Sequence, residues 1–226
     1  MFFDPLYLIL VMPALILSMY AQAKVKGAFN KYSKVRASSG KTGADVAAQM
    51  LRHAGIHNVR VEMINRELGD HYDPKAKAVR LSPNVYSSNS LAALGIAAHE
   101  VGHAIQDHTQ YSWLTLRNSI IPISNFGSQA AIPLFLLGIL FGLTGLMYAG
   151  IVFFALAVLF QVVTMPVETN ASRRALYLLE SGGYITREET KPVKSVLSAA
   201  ALTYLAALLT ALMQLLYLII SVKRND

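Results

Sequence analysis

The chain has 226 residues, of which 54% are hydrophobic and only 15% charged, with 20 Lys and Arg against 13 Asp and Glu and a net charge of +7. Soluble domains carry about 25% charged residues, so so deep a deficit in so short a chain excludes an ordinary soluble protein and makes lipid part of the solvent. Cysteine is absent, which excludes disulfide frameworks and thiolate metal sites and leaves His and carboxylate as the available metal ligands.

Three runs contain no Asp, Glu, Lys or Arg: Pro5 to Ala23, the 50 residues from Asn118 to Val167, and the 28 from Ser195 to Val222. A bilayer core of about 30 Å takes roughly 20 helical residues, so the runs hold one, two and one spanning helices. The expected spans are Pro5 to Ala21, Ile120 to Phe141, Ala149 to Thr164 and Ala199 to Ser221, with a turn between the middle pair at Gly142 to Gly150, where three glycines fall. The first run has no basic residues ahead of it and Lys24 and Lys26 behind it, the pattern of a retained span rather than a cleaved leader.

Between the first two spans, residues 24–117 have ordinary polarity and read as a small α+β insert. Thr42 to Asp45 starts a helix whose apolar positions Val46, Met50, Leu51 and Ala54 keep helical spacing, and Gly55 closes it. Val59 to Asn65 reads as a strand and His71 to Ser82 as a hairpin, with Asp73 and Pro74 opening its turn. Ser88 or Ser90 then caps a helix from Leu91 to about Asp107, whose stripe Leu91, Leu94, Ala98, Val101 and Ile105 leaves His99 and His103 on another side.

That helix carries His99-Glu100-Val101-Gly102-His103. Two imidazoles four residues apart share a helical face and can chelate one zinc ion, and the Glu beside the first can serve as general base toward a zinc-activated water of pKa around 7. With six His and seven Glu in the chain, chance placement produces this pattern about 0.5% of the time. Catalytic zinc needs a third protein ligand. His108 has the wrong spacing for it, Asp107 lies one turn beyond His103, and Glu168 follows the third span in a segment where it shares a helical face with Ser172, Ala175 and Leu179. Glu168 is the strongest of the three, and Asp107 stays open. His71, Tyr72 and Tyr86 are candidate oxyanion donors. Lys77 to Ser82 is a candidate edge strand for β-addition of a peptide. His53 and His57 read as exposed, Tyr111 and Trp113 as an interfacial belt, and Arg173 and Arg174 as contacts to headgroups or acidic partners.

Several motifs together resemble the YugP-like neutral zinc metallopeptidases of bacterial membranes: Ala97 to Gln106, Gly69 to Pro74, Val79 to Ser82, Pro166 to Glu168 and Ala171 to Leu176. The chain is also similar, more distantly, to the HtpX and CAAX-processing membrane proteases. The resemblance spans most of the chain. It implies a zincin-like insert, zinc as cofactor, His99, His103 and Glu168 as ligands, and Glu100 as base. The distant relatives place Asp one turn after the ligand Glu, where this chain has Ser172, whose hydroxyl can still hydrogen-bond a ligand. Thr169 stands where that pattern has an aromatic.

The expected whole is a mainly α integral membrane protein with four transmembrane helices. Residues 1–23 form the first, 24–117 the cytoplasmic insert, 118–164 a transmembrane hairpin, 165–195 a cytoplasmic segment with the third ligand, and 196–226 the fourth helix and tail. Of the 20 Lys and Arg, 18 fall in the insert and the 165–195 segment, which puts both on the cytoplasmic side of a bacterial inner membrane and both termini outside. The basic excess then answers to anionic lipid rather than to nucleic acid. His103 lies close before the second span and Glu168 four residues after Thr164, about 6 Å of helix. The site therefore belongs near the cytoplasmic membrane face, and its expected substrates are membrane-associated proteins or peptides. The competing expectation is a membrane adaptor or assembly factor that keeps the fold without turnover, and an intact Glu100 argues against it.

Overall fold

The computed structural model describes residues 4–224. Its elements in chain order are α1 (Pro5–Tyr32), α2 (Gly43–His53), β1 (Arg60–Met63), β2 (His71–Asp73), β3 (Ala78–Leu81), α3 (Pro83–Tyr86), α4 (Leu91–His108), α5 (Ser112–Phe141), α6 (Thr144–Ser181) and α7 (Arg187–Lys223). The fold is mostly helical, and α1, α5, α6 and α7 are each long and apolar enough to cross a membrane. All four outrun the apolar stretches that announce them: α1 continues through Lys24, Lys26 and Lys31, and α7 begins twelve residues before the expected Ala199. A helix stops where its backbone hydrogen bonds are capped, not where its side chains turn polar.

Two compact units divide the chain. One holds the residues up to Gln22, Thr115–Pro166 and those from Leu202 on; the other holds Ala23–Leu114 and Val167–Ala201.

In the first unit, Tyr7, Val11, Phe135, Met147, Tyr217, Leu218 and Val222 form a core drawn from all four long helices. The hydroxyls of Ser18 and Thr210 lie 3.0 Å apart between α1 and α7. The nine-residue turn read from the glycines is shorter in the structure. Gly142, with φ of +63°, makes the turn with Leu143. Gly145 and Gly150 are helical, and a Cβ on Gly150 would stand 2.7 Å from the Ala131 carbonyl oxygen. Gly150 thus serves close packing of α5 on α6, a role that local sequence does not distinguish from a turn.

The second unit is built around α4. Ser90 caps it by accepting from the Ala93 N–H at 3.2 Å, and all five residues of the expected stripe are buried. The opposite face is buried as well, so that 14 of its 18 residues are buried. On the stripe side lie α2 and the sheet. Val46, Ala47, Met50 and Leu51 of α2 and Val79 and Leu81 of β3 join the same core, which also takes in Ala175, Leu179, Tyr184, Val193 and Leu197.

The sheet has strand order β1-β3-β2, with β1 parallel and β2 antiparallel to β3. The β2–β3 hairpin agrees with the sequence. Asp73 organises its turn, its Oδ1 accepting from the N–H groups of Lys75 and Ala76. β3 is central, however, and both its edges are paired, so the Lys77 to Ser82 segment has no ladder left to offer a peptide. The parallel partner β1 precedes β2 in the chain, so the 77–82 segment by itself does not reveal that its second edge is paired.

α2 starts with a capping box: the Thr42 hydroxyl accepts from the Asp45 N–H at 3.2 Å, and Asp45 Oδ2 accepts from the Thr42 N–H at 3.0 Å. Hydrogen bonds from the Thr42 hydroxyl and backbone hold the Asp45 carboxyl below its usual range. That contribution is present above the unfolded-state pKa and is lost as pH falls through the folded one. Asp45→Ala should destabilise the chain by about 1 kcal/mol at neutral pH. Thermal unfolding in detergent should show the gap to wild type closing below pH of about 4.

Candidate metal centre

α4 and the part of α6 that follows Val167 lie against each other in the second unit. The contact is backbone on side: a Cβ on Gly102 would fall 2.7 Å from the Ala171 carbonyl oxygen and 3.1 Å from its Cα. Glycine at 102 therefore permits the approach that brings two imidazoles of α4 to a carboxylate of α6. His99 Nε2 and His103 Nε2 are 3.2 Å apart, and Glu168 Oε2 lies 3.2 Å from the first and 3.5 Å from the second. Among the described residues these three form a group able to hold a metal ion.

The donor set fits zinc. A tetrahedral ion with bonds of roughly 2.0–2.1 Å keeps its ligand atoms about 3.3 Å apart, close to each of the three separations. The outer nitrogens of both rings are already engaged, His103 Nδ1 by Gln106 Oε1 at 3.0 Å and His99 Nδ1 by Ser172 Oγ at 3.1 Å. The Nε2 atoms are thereby directed at each other and at the carboxylate, as metal-bound histidines require. Glu168, His103 and Glu100 are 5%, 8% and 8% exposed. Burial alone would depress the His103 pKa, but the Glu168 hydrogen bond and the charges of Glu100 and Glu168 outweigh it and raise the ring above its ordinary value. The site favours positive charge, the electrostatic condition for a cation.

Other residues singled out in the sequence fall elsewhere. Asp107 is not in the group, because its Oδ2 accepts from the Tyr72 hydroxyl and from Lys77 Nζ, each at 2.6 Å. The same bond occupies the Tyr72 hydroxyl, whose pKa is raised by burial and by Asp107. His108 is exposed at the end of α4. His71 is exposed, with Nδ1 2.7 Å from the Gly69 carbonyl oxygen. Tyr86 and His57 line a cleft of about 490 Å³ beside α2 and β1, and His53 Nδ1 meets the Tyr184 hydroxyl at 3.1 Å. Trp113, 43% exposed, opens α5. Arg173 is exposed, whereas Arg174 donates from Nε to Asn170 Oδ1 at 2.8 Å. Gly102, Gln106 and Asn170 join the site without being marked as functional by the sequence. Gln106 had a usable signal, standing three residues after His103 and so beside it on the helix. Asn170 had none.

The family described as "Putative neutral zinc metallopeptidase" matches residues 7–223. The chain belongs to this family. A relative from Bacillus subtilis (strain 168), "Putative membrane protease YugP", is 50% identical over 211 residues, 93% of this chain and 94% of the relative. No solved structure matches. The family's description names zinc, the ion that the geometry of the three donors fits.

Gly102→Ala tests whether the close approach sets that geometry. The added methyl must push α4 and α6 apart. Zinc affinity, measured by chelator competition on the purified chain, should fall on the order of 10-fold, with helical content unchanged by circular dichroism.

Proposed function

We propose that this chain is a membrane-embedded zinc-dependent endopeptidase that hydrolyses peptide bonds near the cytoplasmic face of a bacterial cell membrane, in membrane-protein turnover or quality control. The observation that carries this reading is the convergence of His99, His103 and Glu168, with Glu100 one residue from the first of them. The family's description and the relative's printed name support the same chemistry.

Zinc held by these three side chains would supply Lewis acidity to the scissile carbonyl and to a water. Glu100 takes a proton from the attacking water on a carboxylate oxygen and gives it to the amide nitrogen. A C–O bond forms and the C–N bond breaks, and the second proton of the water passes from the new carboxyl group to the leaving amine, giving a carboxylate and an ammonium. Ser172 and Gln106 hold the outer ring nitrogens throughout. β2 pairs on one side only and packs by α4, so its outer edge offers backbone groups to an extended substrate. A mixed sheet beside a helix that carries the ligands supports a zincin-like reading of residues 24–117.

The cytoplasmic placement rests on the 18 basic residues of the two polar segments. The absence of cysteine makes it straightforward to test. Lys75→Cys and Glu180→Cys, both at exposed positions, should escape an impermeant maleimide in intact cells, whereas Leu143→Cys should be labelled.

Glu100→Gln should keep zinc and lose hydrolysis by about 100-fold or more. Comparing membranes that contain wild type or the variant by proteomics should reveal full-length substrates accumulating in the variant. Identical membranes would favour the adaptor reading.

A further inference from the structure

Gln106 is a polar side chain with no exposed surface, and every hydrogen-bonding atom of its amide has a partner beside the metal centre. Nε2 donates to the Val167 carbonyl oxygen at 2.8 Å and to Asn170 Oδ1 at 3.0 Å. Oε1 faces His103 Nδ1 at 3.0 Å. The Val167 carbonyl can only accept, so the amide nitrogen must face it and the amide oxygen must face the imidazole. Oε1 in turn can only accept, so Nδ1 must carry a hydrogen, and the neutral ring then presents a lone pair at Nε2. Asn170 is oriented independently, since Arg174 Nε donates to the same Oδ1 and a guanidinium cannot accept. Arg174, Asn170, Gln106 and His103 thus form a chain in which each donor and acceptor is decided.

His99 differs. Its Nδ1 meets the Ser172 hydroxyl, which can donate or accept and therefore does not dictate a tautomer.

We infer that Gln106 is a positioning residue of the metal centre. It locks His103 in the Nδ1–H tautomer and, through its two amide hydrogens, clamps α6 on both sides of Glu168. The inference rests on the zinc reading above, and deepens it by making the two histidine ligands unequal: one fixed, the other adaptable.

The test uses the full chain in detergent, with zinc ion as the probe and a chromophoric chelator as competitor. Gln106→Leu, of similar size but without hydrogen bonds, should bind zinc about 10- to 100-fold more weakly. Asn170→Ala, which removes only the far acceptor, should lose less. The double variant should be no weaker than Gln106→Leu within about twofold, because both act through one chain of bonds. In ¹⁵N-histidine NMR of the zinc-free protein, recorded at alkaline pH where the imidazoles are neutral, the His103 signal should report the Nδ1–H tautomer in wild type and a mixture in Gln106→Leu. A fully additive double variant, zinc affinity in Gln106→Leu within about twofold of wild type, or an unchanged tautomer, would overturn the assignment. If Gln106→Leu does not fold, an Asn170→Ala affinity equal to wild type does so. Failure of wild type itself to bind zinc would instead overturn the metal reading, and this one with it.

Discussion

A carboxylate taken out of water has to be compensated where it lies, and in this chain that requirement falls on Glu168. It is the first charged residue after 50 without one, and it is 5% exposed. An isolated buried charge costs several kcal/mol even after relaxation, so the helix that carries it must meet partners at once. Those partners are the two imidazole edges of α4. They can reach it only because Gly102 has no side chain, and they face it only because their outer nitrogens are held from behind. The site is thus less a pocket with residues placed in it than a helix crossing whose electrostatic balance fixes the residues around it.

The crossing also accounts for the unusual burial of α4. A helix with one apolar stripe ordinarily keeps a wet face, but α4 is covered on its second side too. Gly95 and Gly102 are seven residues apart, two turns, and so lie on one line. A Cβ on Gly95 would meet Val193 Cγ1 of α7 at 3.2 Å, and one on Gly102 would meet Ala171. The glycine line admits α7 and α6 where a line of larger residues would hold them off, and it places His99, His103 and Glu168 in a setting of low dielectric, where a fixed carboxylate acts strongly.

What was legible in the sequence was whatever rests on local pattern. The four long apolar helices, the α2 cap at Thr42, the turn at Asp73, the α4 stripe and the spacing of His99 and His103 are all written within a few residues. Glu168 stood out by contrast with the uncharged run before it. What was not legible depends on which elements meet. β3 reads locally as one arm of a hairpin, and only the pairing of β1 as its parallel neighbour makes it central. Gly150 looks like a turn residue until Ala131 is known to press on it. Asp107 has reach enough for a ligand, but Tyr72 and Lys77 come from the sheet to claim its carboxylate. Gln106 and Asn170, 64 residues apart, have no joint signature in one sequence.

The spacer in His99-Glu100-Val101-Gly102-His103 is conventionally the part of such a pattern that any residue can fill. In this fold neither spacer position is open. Val101 has no exposed surface and belongs to the core shared with α2 and the sheet, while Gly102 abuts the backbone of α6. One points inward to hydrophobic packing and the other sideways to a helix, so they accept different substitutions for different reasons: volume at the first, the mere presence of a side chain at the second. The motif is then five specified letters rather than three, and its tolerance to drift is set by packing as firmly as by chemistry.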